Sequence, residues 1–144
     1  MNRDALLQRE EEAWTALARA LEQVPPDRRG AVGVVPGWSA HDILWHCVAC
    51  VAWATDVIER VGRGEPEPDM PEDEAAWDAE VLATGRATSW DKAFDDLERN
   101  RHRIRSSLSV LDDPSDLAIQ WFARDTFDHY DEHGAQIRAF HGLT

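Results

Sequence analysis

The sequence predicts an all-α fold: four helices forming a bundle, with one long crossover between the second and the third. Three observations point there. Apolar residues recur at threes and fours in four separate segments. Capping and breaking residues bracket those segments. β-signals are almost absent, and the one β-branched cluster, AVGVVPGW (31–38), is broken by Gly and Pro and reads as a loop. No internal repeat is visible. A length of 144 residues corresponds to one domain, expected over 1–144, and suffices for a core without disulfide staples.

The first helix is expected over Arg3–Gln23. Leu7, Trp14, Leu17, Ala18 and Leu21 share a stripe, Glu10, Glu11 and Glu12 lie toward solvent, and Pro25 and Pro26 stop the helix. The second opens at Ser39, an N-cap with Asp42 three residues on, a capping box with Asp in place of Glu or Gln. It runs to about Val61, before Gly62 and Gly64, with Ile43, His46, Ala49, Cys50, Trp53, Val57 and Val61 inward. The third runs from Ser89 or Trp90 to Leu111 on Phe94, Leu97, Ile104, Leu108 and Leu111, and the fourth spans about Ser115–Phe140. Residues 62–88 are long for a connection. Within them EDEAAWDAEVLA (72–83) has the composition of a short extra helix with Trp77 and Val81 inward. A short link forces neighbouring helices antiparallel, whereas a long one permits a parallel pair, hence a bundle with one crossover.

Charge narrows the partners. There are 28 acidic and 15 basic residues, a formal charge of −13, which repels a phosphate backbone and argues against nucleic acid. No apolar run approaches the roughly 18 residues that span a bilayer, so no membrane association is expected. The start, MNRDALLQREEEAW, lacks the apolar core of a secretory signal. With two cysteines and no such signal, reduced thiols in a cytoplasm fit best. Residues 65–80 hold eight acidic side chains and no basic one. They are expected as a solvated spacer; as a lid they would disfavour anionic substrates. RNRHRIR (99–105) is expected to make intramolecular ion pairs, and His41, His102 and His141 to be solvated.

The chemistry lies in the helix faces. The inward stripe of the fourth helix reads Ala118, Phe122, Asp125, His129, His133, Gln136 or Ile137, then Phe140. Residues four apart stack one turn above each other, so three ionisable groups line up where the pattern demands burial. Buried polar groups without partners each cost a few kcal/mol. His46 interrupts the second helix's stripe in the same way. Three imidazoles from facing helices can occupy one face of a metal centre and leave other positions open for water or substrate. The bland alternatives are a solvated His pair on the fourth helix and a hydrogen-bonded core histidine at position 46.

Cys47 and Cys50 follow His46 in CVAC, mid-helix and without the strand that a redox CxxC motif needs. Both read as small core residues, but Cys50 shares the His46 face and so is also a candidate extra ligand or reactive thiol at the site. Asp125, one turn before His129, is a candidate positioning or basic group. Trp53 and Trp121, with Trp38 and Trp45, flank the histidines in sequence and are candidates for core packing or for lining a substrate pocket.

PGWSAHDILWHCVACVAW (36–53) resembles the Trp-Ser/Thr-x-x-Asp-x-x-x-His segment of DinB/YfiT-like proteins, a superfamily that includes the N-terminal domain of mycothiol-dependent maleylpyruvate isomerases. Trp38, Ser39, Asp42 and His46 match it in turn. DHYDEHGAQIRAF (128–140) resembles the family's closing His-x-x-x-His helix at His129, His133, Gln136 and Ile137. The resemblance implies an up-down-down-up four-helix bundle, often a homodimer, with a divalent metal, commonly zinc or nickel, held by His46, His129 and His133. It further implies chemistry dependent on a low-molecular-weight thiol such as mycothiol or bacillithiol. The additional C-terminal domain of the maleylpyruvate isomerases is not part of this sequence, and Cys50 and Asp125 are not part of the family's motif.

The expected function is thus a metal-dependent thiol S-transferase or isomerase acting on a small-molecule substrate, with the metal activating the thiolate. The alternative is a non-catalytic small-molecule-binding or protective bundle with a structural or vestigial metal site.

Overall fold

A computed structural model describes all of residues 1–144. Helices are the only regular elements: α1 (Arg3–Gln23), α2 (Ala40–Gly62), α3 (Glu74–Arg86), α4 (Trp90–Ser109), α5 (Asp116–Ala123) and α6 (His129–His141). The glycine- and proline-broken segment before α2 is a loop with a single backbone pairing between Val35 and Trp38.

Each helix except α6, which follows directly from the turn before it, begins where a short polar side chain satisfies an orphan backbone N–H. Asn2 accepts from the Ala5 N–H at 2.8 Å, and Ser89 and Ser115 do the same for Lys92 and Ala118. At α2 the reciprocal box forms: Ser39 Oγ accepts from the Asp42 N–H at 3.1 Å and Asp42 Oδ2 accepts from the Ser39 N–H at 3.0 Å. Gly142, at φ +64°, ends α6 in the left-handed conformation that only glycine adopts without strain.

α2 is the central helix. It packs on α4, α3 and α5, while α1 packs on α6. The expected single stripe is therefore too narrow. Leu44, Cys47, Val51, Ala54 and Ile58 are fully buried, whereas the anticipated Ala49, Trp53 and Val61 are half-buried. A helix covered on several sides buries more than one face.

Glu10 departs from expectation more sharply. Expected in solvent, its side chain is completely buried. Arg101 Nε donates to both of its carboxylate oxygens at 2.9 and 2.8 Å, and Arg105 donates to Oε1 at 3.0 Å. Arg101 is 5% exposed, also pairs with Glu11, and stacks on Trp14. The rest of the basic run pairs as expected, Arg99 with Asp96 and Arg103 with Glu59, and His102 is exposed.

The crossover is fastened at both ends. Arg86 Nε, at the end of α3, donates to Asp42 Oδ1 at 3.2 Å. Beside it Gly85 lets α3 approach α2 so closely that an added Cβ would lie 2.4 Å from Trp45 Cδ1. At the other end Trp121 Nε1 donates to Glu67 Oε2 at 2.8 Å. The acidic segment stays largely exposed, as expected of a solvated spacer, but is pinned at Glu67 and not free along its length. α3 starts two residues later and ends three later than the 72–83 expectation.

The expected fourth helix is continuous but irregular. Between α5 and α6, Arg124–Asp128 form one π-helical turn. The wider turn adds a residue, and Asp125, Thr126 and Phe127 within it are all buried.

Candidate metal centre

α2 supplies His46 and α6 supplies His129 and His133, one turn apart. Their ring centroids form a near-equilateral triangle with sides of 5.6, 5.3 and 5.2 Å. One nitrogen from each ring lies within 4.8 Å of the others. His133 is 8% exposed, and its Nδ1 lies 2.8 Å from Gln136 Oε1. With the amide oxygen as acceptor, Nδ1 carries the proton and Nε2 presents its lone pair, the tautomer fixed as metal-binding histidines have it fixed. That Nε2 is buried without a partner, and so is His129 Nδ1.

The protonation states suit ligation. Burial, and then the neighbouring His133 and His129 charges, bring His46 down to about 4. Burial and the His133 charge bring His129 to about 4 as well, against the opposing pull of Glu132. Both rings are neutral near pH 7 and have lone pairs to give. A buried, unpartnered His133 Nε2 beside two neutral imidazoles is what a divalent ion would satisfy, so these residues fit a metal.

Asp125 and Cys50 border the triad. Asp125 Oδ1 lies 3.6 Å from His129 Nδ1, too long for a hydrogen bond. Asp125 is 4% exposed, and burial raises its carboxyl to about 7 despite the opposing Arg124 charge. Cys50 Sγ lies 3.5 Å from His46 Nε2 and 3.9 Å from its Nδ1. Burial pushes the Cys50 thiol far above its ordinary value, so without an ion it is no thiolate nucleophile. Cys47 faces the core, and its thiol is pushed up to about 12 by burial and then by Asp125.

Next to the imidazoles lies a cavity of about 220 Å³. Trp53, Trp77 and Trp121 give it an aromatic lining, and Glu74, Asp78 and Arg124 its charged one. Arg124 is drawn over the Trp121 ring, 4.9 Å from its centroid. Trp53 Nε1 is buried without a partner. Of the flanking tryptophans expected from the sequence, Trp53 and Trp121 line this cavity, Trp38 packs edge-on to His46 at 5.1 Å, and Trp45 packs against Gly85.

His41 and His141 are not solvated as expected. His41 Nε2 donates to the Thr88 carbonyl at 2.8 Å, and His141 is half-buried, with burial lowering its pKa. The cavity contributions of Glu74, Asp78 and Arg124 were not legible in the sequence, because they depend on where the crossover docks. Gln136 had a signal: three residues after His133, it shares that face.

A family model for the DinB superfamily matches residues 10–137, a span that contains all three histidines. No curated protein and no solved structure matches the chain.

Proposed function

The chain belongs to the DinB superfamily, and from that premise we propose that it is a divalent-metal-dependent enzyme of low-molecular-weight-thiol chemistry, an S-transferase or isomerase. His46, His129 and His133 hold the ion, zinc or nickel. The observation that carries this reading is the triad of imidazoles with two orphaned buried nitrogens, beside an aromatic cavity. Superfamily membership supports it, because the superfamily is metal-associated. The same reading takes the chain as one up-down-down-up four-helix domain, a cytoplasmic homodimer.

A divalent ion held there would supply Lewis acidity, keeping a thiol anionic near neutral pH. The chain's own residues do the rest. Gln136 holds His133 in one tautomer through Nδ1. Asp125, 3.6 Å from His129 Nδ1, is a local site for a proton, its carboxyl being raised to about 7. Trp53, Trp77 and Trp121 exclude water and offer flat apolar contact to a substrate body. Glu74 and Asp78 in the cavity lining disfavour anionic substrates.

Elemental analysis of the purified protein and of His129→Ala tests the reading, together with thiol-dependent turnover of electrophiles. Near-stoichiometric divalent metal in the native protein, lost with activity in the variant, is expected. Protein purified without such metal, and unable to take it up, refutes the reading. Metal uptake without any turnover would leave a structural or vestigial metal site, and sedimentation analysis checks the dimer.

A further inference from the structure

We propose that Cys50 is a fourth protein ligand of the ion held by His46, His129 and His133, supplying a thiolate from the cavity side. The inference rests on the metal reading above and extends it to a side chain outside the three-histidine set.

Distance is the first argument. In a tetrahedral zinc site with bonds of about 2.3 Å to sulfur and about 2.0–2.1 Å to nitrogen, the sulfur–nitrogen edge is about 3.5 Å. Cys50 Sγ and His46 Nε2 are 3.5 Å apart. The second argument is shared membership. Donor atoms of Cys50, Asp125 and His129 lie within 4.8 Å of one another, as do those of His46, His129 and His133. His129 belongs to both groups and His46 touches Cys50, so the thiol borders the imidazole cluster; the two groups stay separate, and to bind the same ion the Cys50 side chain must turn toward the His133 side. A third observation is independent of the cysteine: His133 is 8% exposed and its Nε2 has no partner, which marks that space as one an ion fills.

The placement follows from the helix. Cys50 lies four residues after His46, one turn on along the same face of α2. Cys47 lies one residue after His46, on a different face, and is buried in the core. The two cysteines of CVAC therefore divide, one toward the ion and one toward packing.

When the ion binds, the metal–sulfur bond forms as the S–H bond breaks, and the proton leaves to solvent. A soft thiolate joined to three imidazoles favours zinc-like ions over hard, oxygen-preferring ones. Cys50 also lines the cavity, and as the fourth ligand its sulfur stands where a substrate thiol would reach the ion, so that thiol would have to displace it or bind beside it.

Cobalt(II) titration of the metal-free protein under anaerobic conditions tests the proposal by absorption spectroscopy. The native protein is expected to show intense near-ultraviolet sulfur-to-cobalt charge transfer, saturating at one ion per chain. Cys50→Ser should still bind cobalt through its histidines but lose that band and release one proton fewer per ion, while Cys47→Ser keeps both. Cobalt bound to the native protein without the band overturns the role of Cys50 and leaves the three-histidine site standing. Native protein that takes up no cobalt overturns both. The native spectrum decides the matter even if the Cys50 variant does not fold.

Discussion

Replacing Asp125 by Asn separates what the buried carboxylate does for the fold from what it does for the site. In the metal-free protein Asp125 is 4% exposed, and burial lifts its carboxyl from an ordinary 3.8 to about 7. At about 1.4 kcal/mol per tenfold change in proton affinity, holding the ionised form inside costs about 4 kcal/mol. The folded protein binds this proton more tightly than the unfolded chain does. Its stabilising effect is therefore complete below the unfolded value and is lost as pH rises through about 7. Asn has no proton to lose. The gain of Asp125→Asn over the native protein should widen by about 3 kcal/mol between pH 5 and pH 8. For a chain of this length that is a relative rise in Tm of about 9 °C. Urea unfolding of both metal-free proteins at the two pH values measures it. With metal present the advantage at pH 8 should shrink by about 1.4–2.7 kcal/mol, because the variant lacks the carboxylate beside His129 and should bind the ion about 10–100-fold more weakly. A gain that is the same at both pH values, or larger at pH 5, refutes the argument.

Other perturbations probe the same geometry. Zinc at about a hundred times its dissociation constant should stabilise the native protein by about 2.7 kcal/mol, seen as a rise of about 8 °C in Tm, and His133→Ala should abolish the shift. Glu10→Ala removes the carboxylate that Arg101 and Arg105 share and leaves the buried Arg101 only Glu11, at a cost of about 3 kcal/mol in chemical denaturation, the low end for a broken buried pair; a loss below 1 kcal/mol would contradict that role. Gly85→Ala drives a methyl into Trp45, and overpacking of this kind costs about 1–3 kcal/mol. Its local signature should be faster proteolysis within residues 62–73, with α1 and α4 still protected.

Helix content and the main boundaries were legible because both are written locally. Arg3–Gln23 emerges with the bounds expected from its periodicity and from Pro25 and Pro26. Ser39 and Asp42 announce the start of α2 by their spacing alone. The same 3.6-residue period set His129 and His133 on one face and His46 on an inward stripe, and the three rings come together within about 5.6 Å. Glu10 was misread for the same reason that Leu17 was read correctly. Periodicity says which residues share a face, not which neighbour covers it, and Arg101, 91 residues away, gives Glu10 its partner.

The helices, their caps and the set of inward histidines are thus written along the chain, since all three follow from interactions within a few residues of one another. Tertiary structure alone decided the rest. The π-helical turn at Arg124–Asp128 has no periodic signature, because one inserted residue is visible only against the neighbours it realigns. The acidic crossover becomes a cavity wall only through Glu67 meeting Trp121 and Arg86 meeting Asp42. Cys50 comes to face the imidazoles rather than plain core only once α2 and α6 are packed together, since the space between their side chains belongs to neither helix alone.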